Sequence, residues 1–175
     1  MHTKRHKKRV IARQFLEEIG HVPNFKKPLS LNEKLQWLKI HHRDPLLTKC
    51  ADKYTVREYV SETIGEKYLT KLIGVYDSVE EIDFNTLPNK FALKVNNGSG
   101  KNIICSDKRS LDIKEAKAKL GFWMHPETNH YNFSFEWSYK HIKPKIICEE
   151  FIEDYTTGLN DYKINCFHGE PKFVA

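Results

Sequence analysis

Lys94 and its neighbours are the part of this chain whose residue types are best suited to chemistry. The run Phe91-Ala92-Leu93-Lys94-Val95-Asn96-Asn97-Gly98-Ser99-Gly100-Lys101 is followed at once by Asn102-Ile103-Ile104-Cys105-Ser106. Two short stretches rich in β-branched and aromatic residues, flanking a loop of Asn, Gly and Ser, predict strand, turn and strand. Period-2 alternation sets Phe91, Leu93 and Val95 on one face and Ala92, Lys94 and Asn96 on the other. A lysine on a small, polar face suits a cleft wall, and glycines let backbone N–H groups approach an anion closely. Lys94 with Gly98, Ser99 and Gly100 is therefore a candidate phosphate site. A hairpin turn carrying a solvent-facing lysine is the alternative that the same residues allow.

Carboxylates supply the second constellation. In a strand over 145–152, Ile147, Glu149 and Phe151 share one face, and Ile146, Cys148, Glu150 and Ile152 share the other. A carboxylate between Ile147 and Phe151 is partly desolvated and needs a donor. The exocyclic amine of an adenine is one such donor, and a neighbouring lysine is the structural alternative. Further on, Asp161, Lys163 and Asn165 form a polar face opposed by Tyr162, Ile164 and Cys166. Nine histidines and four widely spaced cysteines give no zinc-type spacing, and the sequence assigns no catalytic residue and no metal ligand.

The elements that must position these groups follow in order. Residues 4–19 have helical spacing behind a basic run, closed by Gly20 and Pro23. Ser30-Leu31-Asn32-Glu33 is a capping-box signature and predicts a helix that turns Leu31, Leu35, Leu38 and Trp37 inward. After the Asp44-Pro45 break a single helix is expected over 45–63, with Asp52-Lys53 as a surface pair near its middle. A strand is expected over 68–76, a helix over 111–124, and an aromatic-rich, core-forming segment over 125–141. This divides the chain into a basic helical extension (1–24), a helical region with one strand (25–90), a glycine-loop hairpin with helices (91–144), and the start of a further unit (145–175).

Composition narrows the partners. The 175-residue chain carries a net charge of +6, but residues 1–30 hold eight Lys/Arg against two acids, and the remainder holds 21 of each sign. Binding to a phosphate backbone wants a basic face with several simultaneous contacts, so no specific nucleic-acid role is expected. Weak contact of the basic start with an anionic membrane remains open. The scattered cysteines point to a reducing cytoplasm without structural disulfides, and no apolar run reaches the length of a membrane span.

Taken together, Asp52-Lys53, the Lys94 strand with its glycine loop, Ile147-Cys148-Glu149-Glu150-Phe151-Ile152 and Asp161-Tyr162-Lys163 resemble the ATP-grasp fold, and most closely its TupA-like branch. Glu33-Lys34-Leu35-Gln36-Trp37, Ile73-Gly74-Val75-Tyr76-Asp77 and Phe167-His168-Gly169-Glu170-Pro171-Lys172-Phe173 extend the likeness from about residue 25 to the end. The resemblance implies an α+β fold in which two small subdomains hold a nucleotide between two antiparallel sheets. It implies ATP-dependent joining of a carboxylate to an amine through an acyl phosphate, in bacterial cell-surface polysaccharide or teichuronopeptide synthesis, with a polysaccharide- or peptide-linked acceptor. By that resemblance Lys53 and Lys94 contact the phosphates, and Gly98, Ser99 and Gly100 form a flap over them. Glu149, Glu150 and Ile152 line the adenine, and Asp161 and Lys163 meet the ribose. Ile103, Ile147 and Ile164 are candidates for apolar walls or for core. Magnesium accompanies ATP in this family, and its Asp/Glu and Asn ligands are expected from strands beyond residue 175, so the chain corresponds to the first two-thirds of such an enzyme. A glycosyltransferase of polysaccharide synthesis, a label often given to relatives, is an alternative that lacks a D-x-D motif here. A catalytically inactive nucleotide-binding remnant and a non-enzymatic binding module are the others.

Overall fold

Alternation of apolar and polar residues builds the central sheet. The computed structural model describes residues 3–153 and 162–174. Strand β2 (Phe91–Val95) pairs antiparallel with β3 (Asn102–Cys105), placing Lys94 opposite Asn102. On its other edge β2 pairs antiparallel with β4 (Ile146–Glu150), so that Ala92 faces Glu149 and Lys94 faces Ile147. β4 in turn pairs with β1 (Leu72–Tyr76), giving the order β1-β4-β2-β3. The strand at the start of the expected 145–175 unit thus lies inside the same sheet as the glycine-loop hairpin. β1 is an edge strand, and the Tyr76 ring lies across Gly74, where any Cβ would collide with it.

One face of this sheet is the main core. Phe91, Leu93, Val95, Ile146 and Cys148 point into it and meet Ala116 and Leu120 of helix α5 (Ile113–Met124), together with Val79, Ile82, Phe84 and Leu87 from the β1–β2 connection. Ile103 packs on the same cluster. The Cys148 thiol is pushed up to about 12 by burial, and all four cysteines are free. A second, two-stranded antiparallel sheet pairs β5 (Ile164–Phe167) with β6 (Glu170–Val174) across a turn at His168 and Gly169. Ile164 is exposed. The described chain is therefore α+β, with one four-stranded and one two-stranded antiparallel sheet.

The helical part departs from the sequence expectation in three places. Helix α1 (Lys4–Ile19) forms over the expected span and buries Ile11, which packs with Ile40 and Phe135, and Phe15, whose ring meets His21 edge-on. Helix α2 (Leu31–His41) has its capping box: the Ser30 hydroxyl accepts from Glu33 N at 3.2 Å. Its leucines, however, point outward, with Leu31, Leu35 and Leu38 left 46%, 46% and 40% exposed. The reason is Glu33, whose carboxylate accepts from the backbone N–H groups of Asn24 (2.8 Å), Leu29 (3.0 Å) and Ser30 (3.1 Å). Three charge-assisted bonds to backbone donors fix which side of α2 faces the protein, and that side carries Glu33 and Ile40.

The single helix expected over 45–63 is two, α3 (Pro45–Ala51) and α4 (Val56–Ile64). Asp52 breaks it: its Oδ1 accepts from Tyr54 N at 2.8 Å, and the residue is buried instead of forming a surface pair. In the aromatic segment only Phe135 is buried, and Phe133 is exposed, because short turns such as Tyr131–Ser134 (α6) are too brief to present a continuous face. Among the described residues no helix is long and apolar enough to cross a membrane.

Candidate functional site

The polar face of the sheet places Lys94 beside the mouth of the glycine loop. Lys53, Lys94, Gly98, Ser99, Gly100 and Lys101 line one pocket of about 340 Å³, with Tyr139 at its side. Gly100 has a φ of +72°, a backbone conformation that favours glycine and turns the loop into β3. Lys53 enters from the α3–α4 break and donates from Nζ to the carbonyls of Val95 (3.1 Å) and Gly98. Lys101 donates from Nζ to Thr128 O (2.7 Å), Trp123 O (3.2 Å) and Asn97 Oδ1 (3.3 Å), which ties both ends of the loop to the end of α5.

Among the described residues, Lys53 and Lys101 have only neutral oxygens as partners. Burial lowers the Lys53 pKa, with the nearby charges of Lys94 and Lys101 adding to the effect. Burial likewise lowers that of Lys101. Taking an ammonium out of water without a counter-charge is costly, so an anion in the pocket relieves both. The neighbouring Asn97 is fully buried, and its Nδ2 has no hydrogen-bond partner among the described residues. An orphaned donor of this kind carries a desolvation cost.

Lys94 has a different partner. Its Nζ meets Glu149 Oε2 at 2.7 Å, and Arg57 Nη1 meets Glu149 Oε1 at 2.8 Å. Arg57 also donates from Nη2 to Thr70 O at 2.7 Å, which fixes α4 to the start of β1. The desolvated carboxylate inferred between Ile147 and Phe151 therefore has two cationic donors in this structure. Around Lys53 the positive charges of Lys94 and Lys101 stand against the carboxylates of Asp52 and Glu149.

The other sequence candidates are placed differently. Glu150 lies on the opposite side of β4, exposed, with Oε1 accepting from Lys71 N at 3.3 Å. Ile152 is half exposed just beyond β4, and Lys163 is exposed before β5. None of the three lines the lysine pocket. Ile147 is buried on the Lys94 face. Asp161 lies outside the described residues. Among the described residues no group of three or more His, Cys, Asp or Glu could hold a metal ion.

Four residues that sequence reasoning passed over belong to the site. Arg57 and Lys101 complete its charge, and Asp52 and Asn96 form its base. Asn96 Nδ2 donates to Asp52 Oδ1 at 2.8 Å and to Lys143 O at 3.1 Å, and its Oδ1 accepts from Lys145 N at 2.8 Å. The Asn96-Asn97 pair at the end of β2 was the available signal. Two amides where a strand runs into a glycine loop are apt to bond backbone.

A pocket lined by three lysines under a glycine loop, on a lysine-bearing strand beside a carboxylate strand, concentrates positive charge suited to an anion. The sequence profile described as TupA-like ATPgrasp matches residues 33–175. No curated protein and no solved structure matches the chain. With the profile spanning all four strands of the main sheet and the lysine pocket, the chain belongs to the TupA-like ATP-grasp family, whose fold implies binding of an adenine nucleotide.

Proposed function

We propose that the chain is the ATP-binding portion of a carboxylate–amine ligase acting in bacterial cell-surface polysaccharide or teichuronopeptide synthesis. The observation that carries this reading is the trio Lys53, Lys94 and Lys101 around Gly98, Ser99 and Gly100, two of the three with no carboxylate partner among the described residues. Cations preorganised in a partly dry pocket stabilise the charge of a transferring phosphoryl group. The chemistry ATP supplies is phosphorylation of a carboxylate, giving an acyl phosphate that an amine displaces with loss of phosphate.

The residues of this chain then divide the work. Lys53 holds the root of the loop and faces the phosphates, and Gly98, Ser99 and Gly100 act as the flap over them. Lys94 exchanges Glu149 for phosphate, and Arg57 keeps the Glu149 Oε1 bond. The Oε2 released in that exchange accepts from the adenine amine, with Glu150 and Ile152 beside the ring and Asp161 and Lys163 at the ribose. The ion pair seen between Lys94 and Glu149 is thus the nucleotide-free partner of each. Magnesium, which accompanies ATP in this family, would offset the charge of its phosphates, with its protein ligands expected outside the residues described. A role that consumes ATP suits a cytoplasmic location.

Calorimetric titration with ATP tests this reading. A charge-assisted hydrogen bond is worth about 1.5–3 kcal/mol, so Lys53→Ala and Lys94→Ala should each weaken ATP at least about 10-fold. Lys90→Ala, whose lysine pairs with Glu153 at the surface, should change it less than about two-fold. No ATP binding by the unaltered chain, with or without magnesium, overturns the proposal.

A further inference from the structure

Helix α2 is amphipathic in the wrong direction for a helix packed on a core. Leu31, Leu35 and Leu38 recur at intervals of four and three, so they form one ridge. The ridge lies on the side of the helix opposite Glu33 and Ile40, the two residues that α2 buries. Leu29, just before the cap, is 72% exposed and continues the apolar surface. Beside the ridge an open groove of about 570 Å³ brings Leu35 and Leu38 next to Leu47 and Trp137. Contiguous apolar surface of this kind marks an interaction site on a soluble chain.

Charge identifies what the ridge meets. Lys34 is exposed on one flank of the ridge, and on the other Lys39 and His42 line the groove together with Glu136, whose Oε1 lies 3.8 Å from Lys39 Nζ. The one acid of α2 is Glu33, and it is turned inward onto three backbone donors. Ile11 of α1 packs on Ile40 and Lys8 lies over the Phe25 ring, which sets the basic first turns of α1 beside the end of α2; burial, then the charges of Lys4 and Lys8, lower the His41 pKa there. Trp37 stacks on His41 at the edge of this patch with ring centroids 4.5 Å apart. An apolar strip with the exposed Lys34 on one flank and the basic start of α1 at its end complements a broad anionic and apolar surface.

We infer that the outer face of α2, with the basic start of α1 beside it, docks this chain on an anionic phospholipid surface. The leucines enter the boundary between headgroups and acyl chains, and the lysines reach the phosphates. The nucleotide pocket, built on β2 and the α3–α4 break, stays outside the contact.

Co-sedimentation of the full chain with vesicles tests this, using phosphatidylcholine alone and phosphatidylcholine mixed with phosphatidylglycerol. Binding is expected only to the mixed vesicles and should weaken as salt rises. The triple variant Leu31→Ser, Leu35→Ser, Leu38→Ser should lose at least about 20-fold in vesicle affinity. Lys34→Ala should lose about five-fold. All four positions face solvent, so far-UV circular dichroism should be unchanged. Equal binding to neutral and anionic vesicles overturns the inference, as does a folded triple variant that binds like the unaltered chain. Self-association that the triple variant abolishes, with no vesicle binding by either protein, also overturns it and makes the ridge a protein contact.

Discussion

The four-stranded sheet and helix α2 use the same kinds of residue to opposite ends. In β2 the alternation sends Phe91, Leu93 and Val95 fully into the core and leaves Lys94 on the polar face. In α2 the leucines stay outside, and a glutamate goes in. The difference teaches that hydropathy decides orientation only where no stronger polar demand competes. Nothing in β2 competes with its apolar face. In α2 three backbone N–H groups of the preceding loop need an acceptor, Glu33 supplies it, and the leucines follow the geometry that this imposes.

The sharpest way to break this contrast is to make one substitution in both places. Leu93→Ala should cost about 3 kcal/mol of stability in chemical denaturation, since it opens a cavity in a closed core. A comparably large effect is expected for Glu149→Ala, which leaves Arg57 and Lys94 facing each other without their carboxylate, at about 3 kcal/mol. The cost should shrink when Lys94→Ala is combined with it, and a double-mutant cycle reads the difference.

Glu33→Gln should destabilise the chain by less, and with a definite pH signature. The backbone N–H of Asn24, then those of Leu29 and Ser30, hold the Glu33 carboxyl at about 2, down from 4.5. A depressed carboxyl contributes stability that is complete above its unfolded value and disappears as pH falls through its folded one. The gap in melting temperature between the unaltered chain and Glu33→Gln should therefore be constant above about pH 5 and close toward pH 2. A gap that persists at pH 2 would show that shape, not charge, fixes α2. Leu35→Ala should be the smallest effect, within about 0.5 kcal/mol, because the residue already faces water. A loss as large as that of Leu93→Ala would erase the distinction between the two regions.

The sheet was legible in the sequence because its signals are local. Alternation in 91–95 and 146–150, the glycine loop between β2 and β3, and the apolar spacing of α5 each lie within a dozen residues. The capping box of α2 was legible for the same reason, but the direction of the helix was not, since Glu33 takes its first donor from Asn24, nine residues back. The α3–α4 break escaped because the atom that makes it, Asp52 Oδ1, is held by Asn96, 44 residues away. Arg57 escaped because its carboxylate lies 92 residues further on. A donor for Glu149 was required by the desolvation of that strand face, and only its identity needed the fold. Of the site, Lys94 and the glycine loop lie in one local stretch and could be read together, Lys53 entered only through the family resemblance, and the buried amides beneath them were not legible.

Asp52 and Asn96 also determine how the loop above them can behave. One carboxylate oxygen joins the helix break to the last residue of the β2 side, and the same asparagine grips the backbone on either side of Pro144 ahead of β4. The threshold of the nucleotide pocket is thereby anchored to three separate segments, whereas Ser99 and Gly100 stand in solvent. Any closing movement must pivot beyond Asn97, so the tip can sweep while its footing keeps Lys53 and Lys94 at fixed spacing.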